Sequence, residues 1–108
     1  MISQVPVARF AAAHADGALV LDVREPHEYA SGHVPGARLV PLATVPDVLH
    51  DLPRSQPIYV ICQSGNRSEI AVQHLTRAGR DARSVIGGVS GWIGAGRPVV
   101  RGRHANSA

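Results

Sequence analysis

Two short stretches of this sequence are apolar at nearly every position, and they limit what the chain can fold into. One runs from Leu19 to Val23 and the other from Ile58 to Ile61. Each has the length of a β-strand, and neither alternates between polar and apolar side chains. Uninterrupted apolar strands are typical of parallel sheets that are covered on both faces. The sequence therefore predicts a parallel sheet with these two strands buried inside it.

Helical patterns alternate with the predicted strands. Weaker strands are predicted at 37–40 and 83–86, a first helix after Pro6, and short helices at 26–31 and 44–52. An alternation of strands and helices is typical of a small α/β domain with a mostly parallel sheet.

The clearest helical pattern runs over 67–78, where apolar residues share one face. Asn66 is predicted to be its N-cap, with Glu69 three residues later completing a capping box. Gly79 stands where a left-handed C-cap residue belongs.

The chain has 108 residues, of which 44% are hydrophobic and 18% are charged. This length is enough for one domain, and the composition argues against a disordered chain. Residues 101–108 show no apolar periodicity. We therefore predict one domain over 1–100 and a flexible C-terminal tail over 101–108.

The net charge is +3, and all eleven basic residues are arginines spread along the whole sequence. Nucleic-acid-binding proteins usually gather their cations on one face and add aromatic side chains for stacking. Aromatic residues make up only 4% here. We therefore expect no nucleic-acid partner, and a mild attraction for small anions instead.

Cys62 is the only cysteine, so neither an internal disulfide nor a multi-thiolate metal site is expected. The six histidines lack convincing ligand spacing, and no metal is predicted. The sequence shows no signal peptide at its start and no apolar run long enough to span a membrane. A lone cysteine fits a reducing compartment, so a cytoplasmic location without a membrane partner is expected.

Cys62 directly follows the predicted strand at 58–61 and precedes the strongest helix. Ligands of open α/β sheets bind at this edge, and a helix start offers free N–H groups. Gly65 lets the loop turn so that its amides converge on one point. A helix N-terminus and the nearby Arg67 both favour the thiolate, which is the nucleophilic form of cysteine. A small buried cysteine without chemistry is the simpler alternative.

The loop from Cys62 to Ser68 resembles the Cys-x-x-Gly-x-Arg-Ser active-site loop of single-domain rhodanese-like sulfurtransferases. Three further segments are similar to that family's motifs and come in its order: Leu21–Pro26 with Glu28-Tyr29, Gly32–Ala37, and Gly87–Trp92. The resemblance covers about residues 1 to 97. It implies a sheet of about five strands with helices on both faces.

The resemblance also implies a reaction. Cys62 would take the outer sulfur of a donor such as thiosulfate and form a persulfide. Cyanide, a thiol or a protein acceptor would then collect that sulfur, and no cofactor would be needed. The residues implied to hold the donor and the persulfide are those that follow the nucleophile: Gln63, Ser64, Gly65, Asn66, Arg67 and Ser68.

Two other functions remain open from the sequence. A phosphatase or arsenate reductase also uses a Cys…Arg loop, but the phosphatase pattern has five intervening residues and this loop has four. The shorter loop suits a small sulfur group better than a phosphoryl group. A sulfur-carrier or regulatory module that acts on a protein partner is the second alternative.

The remaining motif residues are interpreted as structural. Asp22 ends an apolar strand, where a buried carboxylate needs partners such as Arg24 or loop amides. Arg24 and Glu28 are expected to pair with each other. His33 is interpreted as a hydrogen-bonded turn residue, and Trp92 as part of the core.

Overall fold

Five parallel strands form one sheet, and its strand order places the two most apolar strands side by side. The structure is a computed structural model that describes residues 3–106. The strands are β1 (Gln4–Val5), β2 (Leu19–Asp22), β3 (Arg38–Leu39), β4 (Ile58–Ile61) and β5 (Ala82–Val85). Their order across the sheet is β1-β5-β4-β2-β3. β4 therefore lies at the centre, paired with β2 on one side and β5 on the other.

Helices cover both faces of this sheet. They are α1 (Val7–Ala15), α2 (Pro26–Ser31), α3 (Asn66–Arg77) and α4 (Gly88–Gly94), with a 3-10 helix at Leu42–Asp51. Phe10 and Trp92 contribute to the apolar core on one face. Val45 and Leu75 contribute to the core on the other. The predicted α/β fold, with a parallel five-stranded sheet between two helical layers, is confirmed.

Most elements lie where the sequence predicts them. The short helix at 26–31 is confirmed residue for residue. The helix predicted at 44–52 is instead the 3-10 helix Leu42–Asp51, which contains Pro46. Proline has no N–H to donate and its ring crowds the preceding turn, so an α-helix is disfavoured there. β1 was not predicted, because two residues carry too little pattern to identify a strand.

The predicted cap of the main helix is wrong. Gly65, not Asn66, occupies the N-cap position of α3, with a left-handed φ of 119° and no side-chain cap. Asn66 is already helical. Glu69 accepts a hydrogen bond from Gln4 on β1 instead of closing a capping box. The loop needs a left-handed residue at its end, and glycine adopts that conformation without steric cost.

Part of the predicted tail lies against the domain. The Gly102 N–H donates to the Ala30 carbonyl at 2.9 Å, and the Gly36 N–H donates to the Ala105 carbonyl at 2.9 Å. The domain boundary at residue 100 and the flexibility of 101–108 stay predictions, and residues 107 and 108 lie outside the described part of the chain. Within residues 3–106, none of the helices has the length and apolar character needed to cross a membrane.

Candidate active site

Cys62 lies at the carboxyl end of the central strand β4, where the loop to α3 begins. The residue is only 1% exposed. The Gly65 N–H donates a hydrogen bond to Cys62 Sγ at 3.1 Å. The Ser68 hydroxyl oxygen lies 3.5 Å from the same sulfur. The sulfur is thus enclosed by the first turn of α3 and the loop that precedes it.

These surroundings lower the pKa of the Cys62 thiol. Burial raises the pKa, because it removes the charged thiolate from water, and it is the largest single influence. Hydrogen bonds from the Ser68 hydroxyl and from the N–H groups of Ser68, Gly65 and Ser64 act together in the opposite direction and outweigh it. At a helix start these N–H groups have no partner within the helix. The site therefore favours the thiolate form of Cys62.

A glycine of α4 approaches the loop closely. The Val89 N–H donates to the Cys62 carbonyl at 2.9 Å, and the Ser90 N–H donates to the Gln63 carbonyl at 3.1 Å. A Cβ at Gly88, whose φ is +58°, would lie 2.3 Å from the Cys62 carbonyl oxygen. Only glycine fits there. The start of α4 thus holds the backbone of Cys62 and Gln63 in place.

Arg24 is buried next to the loop and contacts it through Gln63. It is 2% exposed and forms an ion pair with the fully buried Asp22 at 2.8 Å. Its Nη1 donates to the side-chain oxygen of Gln63 at 3.0 Å, and its Nη2 donates to the Gly32 carbonyl at 2.8 Å. The predicted Asp22–Arg24 contact is therefore present. The predicted Arg24–Glu28 pair is wrong, because the Arg24 guanidinium donates its hydrogen bonds to Asp22, Gln63 and Gly32 instead.

Glu28 pairs with Arg67 instead. The two nitrogens of the Arg67 guanidinium donate to the two carboxylate oxygens of Glu28 at 2.7 and 2.9 Å. This pair, together with a hydrogen bond from the Glu25 N–H, lowers the pKa of Glu28 from its usual 4.5 to about 2, although burial opposes the shift. Arg67 keeps 35% of its side-chain surface exposed. Part of the Arg67 side chain is therefore accessible to solvent although the guanidinium is paired.

The six residues predicted to bind substrate differ in exposure. Ser64 and Asn66 are exposed, Gln63, Gly65 and Arg67 are half-buried, and Ser68 is fully buried. The Gln63 side chain is fixed between Arg24 and the Ser90 hydroxyl, to which its amide nitrogen donates at 2.8 Å. Of the four hydrogen bonds that lower the pKa of Cys62, three come from backbone N–H groups and one from the Ser68 hydroxyl.

Two serines next to the loop were missed by the sequence analysis. Ser90 holds Gln63, and Ser84 on β5 lies 2.7 Å from Ser68, measured between their hydroxyl oxygens. Both are distant in sequence from the loop. The only local signal for Ser84 is a polar residue on the inward face of a predicted strand.

The other motif residues have structural roles. His33 is fully buried, and its ring stacks on Tyr29 with centroids 3.6 Å apart. Its Nδ1 lies 2.8 Å from the Tyr29 carbonyl oxygen, as expected for a hydrogen-bonded turn residue. Trp92 is 2% exposed in the core, and its indole N–H donates to the Pro98 carbonyl at 2.7 Å.

A buried thiol at the end of a central parallel strand, hydrogen-bonded by a strand-to-helix loop, defines an α/β protein with a cysteine at the edge where open α/β sheets bind ligands. The comparisons with known proteins agree with this class. The chain belongs to the Rhodanese-like domain family, which it matches over residues 7–95.

Several relatives of this chain carry sulfur-related names. The chain is 37% identical over 78 residues to the thiosulfate sulfurtransferase GlpE of Pseudomonas putida (strain KT2440), and the match covers 71% of each protein. It is 38% identical over 76 residues to the putative sulfur carrier protein YrkF of Bacillus subtilis (strain 168). That match covers 69% of this chain but only 41% of YrkF.

Solved structures share the fold. A rhodanese-related protein from Thermoplasma volcanium superimposes with a TM-score of 0.84 at 34% identity, covering 91% of this chain and 97% of that one. A rhodanese-like domain protein from Staphylococcus aureus superimposes with a TM-score of 0.79 at 30% identity, covering 84% and 91%. The fold and the family are therefore shown by independent comparisons.

Proposed function

We propose that this protein is a sulfurtransferase that moves the outer sulfur of a donor to a thiophilic acceptor through a persulfide on Cys62. The observation that carries this proposal is the environment of Cys62 Sγ, which accepts the Gly65 N–H at 3.1 Å and has a lowered pKa. Thiosulfate is taken as the donor because several relatives of similar length are named thiosulfate sulfurtransferases.

The first half-reaction is a displacement at sulfur. The Cys62 thiolate attacks the outer sulfur of thiosulfate, the sulfur–sulfur bond of the donor breaks, and its electron pair leaves with sulfite. Cys62 then carries a persulfide anion. The free N–H groups at the start of α3 stabilise this anion as they stabilise the thiolate. Arg67 binds the negatively charged sulfonate end of the donor.

The second half-reaction returns the enzyme to its starting state. An acceptor attacks the outer sulfur of the persulfide, and the Cys62 thiolate leaves. With cyanide the product is thiocyanate, and with a thiol it is a new persulfide. Cys62 is the only cysteine in the sequence, so no internal disulfide competes with the acceptor. The reaction needs no cofactor, because each step exchanges one bond to sulfur for another.

Intact-mass measurement tests the reaction directly. The protein is measured before and after incubation with thiosulfate, and again after cyanide. We expect a gain of one sulfur atom per chain that cyanide removes, and no gain in the Cys62→Ser variant. An unchanged mass after saturating thiosulfate, and also after a low-molecular-weight persulfide, would rule out the proposed intermediate.

Delivery of sulfur to a protein is a second candidate function, and the similarity to the putative sulfur carrier protein YrkF favours it. The two functions share the persulfide and differ in the acceptor. Persulfide-loaded protein is mixed with a small thiol or with a desalted cell extract. Fast transfer of the persulfide sulfur to the small thiol supports the enzymatic function. Unloading that requires the protein fraction of the extract supports the carrier.

A further inference from the structure

A buried serine lies directly behind Ser68. Ser84 is on β5, is 1% exposed, and its hydroxyl oxygen is 2.7 Å from that of Ser68. Its neighbour on the same face of the strand, Ala82, packs in the apolar core under α3. A hydroxyl in such a position costs free energy unless it forms hydrogen bonds. Ser84 therefore stands where an apolar side chain would be the ordinary choice.

Counting protons shows which serine donates. A serine hydroxyl has one proton and two lone pairs. Within residues 3–106, the Ser84 hydroxyl has only the Ser68 oxygen as a hydrogen-bond partner, whereas Ser68 also lies 3.0 Å from the Gly65 carbonyl and 3.5 Å from Cys62 Sγ. If Ser68 donated to Ser84, the Ser84 proton would be buried without an acceptor. Ser84 therefore donates to Ser68, and the Ser68 proton is free for the carbonyl or the sulfur.

The direction of this bond bears on the sulfur. In the thiol state, the Cys62 S–H donates to the second lone pair of Ser68, and Ser68 donates to the Gly65 carbonyl. When the thiolate forms, Ser68 turns its proton towards the sulfur while Ser84 keeps donating to Ser68. A hydroxyl that accepts a hydrogen bond is a stronger donor, since bonds in a chain polarise one another.

We propose that Ser84 is a positioning residue for this nucleophile: its hydroxyl holds and polarises Ser68 so that Ser68 donates to the Cys62 thiolate. The proposal rests on the thiolate chemistry of the proposed function. The proposed site therefore includes a residue of β5 as well as the loop between β4 and α3.

The charged groups around Cys62 are independent of this serine pair. From α3, the Arg67 guanidinium interacts with the thiolate, and Arg67 is held by Glu28 of α2. From β2 and the residues after it come the paired Asp22 and Arg24. Substitution of Ser84 leaves all four in place. A change in the titration of Cys62 would therefore act through Ser68.

The test is the rate of alkylation by iodoacetamide as a function of pH in Ser84→Ala, Ser68→Ala and the double variant. We expect Ser84→Ala to raise the midpoint and to slow alkylation about two- to ten-fold below it, the range of one neutral hydrogen bond. The double variant is expected to match Ser68→Ala, because Ser84 has no effect without Ser68. Ser84→Thr keeps the hydroxyl and should retain a near-native midpoint.

Thermal unfolding of every variant separates this effect from loss of structure. Ser31→Ala is the control, because it removes an exposed hydroxyl that donates only to the Glu28 carbonyl at the end of α2. A native midpoint in folded Ser84→Ala, or a further shift in the double variant, would overturn the proposal. If Ser84→Ala does not fold, Ser84→Thr provides the test, because it keeps the hydroxyl. An alkylation midpoint raised as much in Ser84→Thr as in Ser68→Ala would overturn the proposal. Alkylation needs no sulfur donor, so its outcome is distinct from failure of the persulfide test.

Discussion

The guanidinium of Arg67 and the carboxylate of Glu28 face each other in a two-pronged ion pair, although 39 residues separate them in sequence. The pair joins the start of α3 to α2 at the rim of the cysteine loop. Its carboxylate competes with any anion for the same guanidinium. Under the proposed function, Glu28 therefore limits how strongly Arg67 attracts a negatively charged sulfur donor.

Removing the charge of Glu28 should strengthen donor binding. In Glu28→Gln, Arg67 no longer faces a carboxylate, and we expect the KM for thiosulfate to fall about two- to five-fold, as expected for a partly exposed ion pair. Arg67→Ala should raise the KM instead. Steady-state kinetics at low ionic strength measure both effects.

Asp81→Asn is the matched control, because Asp81 also pairs with an arginine, Arg83, at 3.1 Å. Asp81 precedes β5 and so lies at the amino ends of the strands, whereas the cysteine loop is at their carboxyl ends. Its KM should stay at the native value. An equal fall in KM in Asp81→Asn and Glu28→Gln would assign the effect to net charge rather than to Arg67.

The same pair predicts how stability depends on pH. The folded-state pKa of Glu28 is about 2, against a usual 4.5, so its contribution is fully present above pH 4.5 and is lost as the pH falls towards 2. The difference in unfolding free energy between the native protein and Glu28→Gln should shrink over this range. Urea unfolding at several pH values measures it, and a pH-independent difference would contradict the assigned pair.

Cys62→Ser should abolish sulfur transfer and leave the fold intact. Serine is close to cysteine in size, and the Gly65 N–H and Ser68 hydroxyl remain as hydrogen-bond partners. We expect the unfolding free energy to change by less than about 1 kcal/mol. Thiocyanate formation and thermal unfolding are measured on the same sample. Transfer by a contaminant-free variant would disprove the role of Cys62.

The lowered pKa of Cys62 should appear in its reactivity. Hydrogen bonds from Ser68, Gly65 and Ser64 favour the thiolate more than burial opposes it. The alkylation midpoint of the native protein should therefore lie below the midpoint of a free cysteine thiol measured under the same conditions. A midpoint at or above that value would show that the loop does not stabilise the anion.

Gly88→Ala should damage both stability and activity. The added Cβ would meet the carbonyl oxygens of Cys62 and Gln63 at 2.3 and 2.6 Å, in a backbone conformation that disfavours alanine. We expect a loss of more than about 2 kcal/mol of unfolding free energy together with a large fall in kcat. Gly94→Ala, at the other end of α4, adds a methyl group to open space and serves as the control.

The sequence was sufficient for the parts of the site that depend on neighbours along the chain. The position of Cys62 between a buried strand and a helix follows from hydrophobic periodicity, and so does the fold class. The same reasoning misplaced the cap of α3. Asn66 has the usual side chain for an N-cap, but the backbone needed a left-handed residue one position earlier.

Partners distant in sequence were not predictable from one chain. Glu28 lies four residues after Arg24 but 39 residues before Arg67. Spacing along the sequence therefore assigned Glu28 to the wrong arginine. The structure gives Glu28 to Arg67 because α2 and α3 meet at the rim of the loop. Ser84 was missed for the same reason, since only the pairing of β5 with β4 brings it under the loop.

The central position of β4 also has a consequence for how the protein is made. β4 pairs with β2, which leaves the ribosome earlier, and with β5, which leaves later. Until residues 82–90 emerge, the nascent chain lacks β5, Ser84 and the α4 backbone that fixes the loop. During that interval the loop lacks the hydrogen bonds that the Val89 and Ser90 N–H groups donate to the Cys62 and Gln63 carbonyls. The enclosure of Cys62 therefore depends on segments that follow it in the sequence, and it is incomplete in any chain that stops before β5.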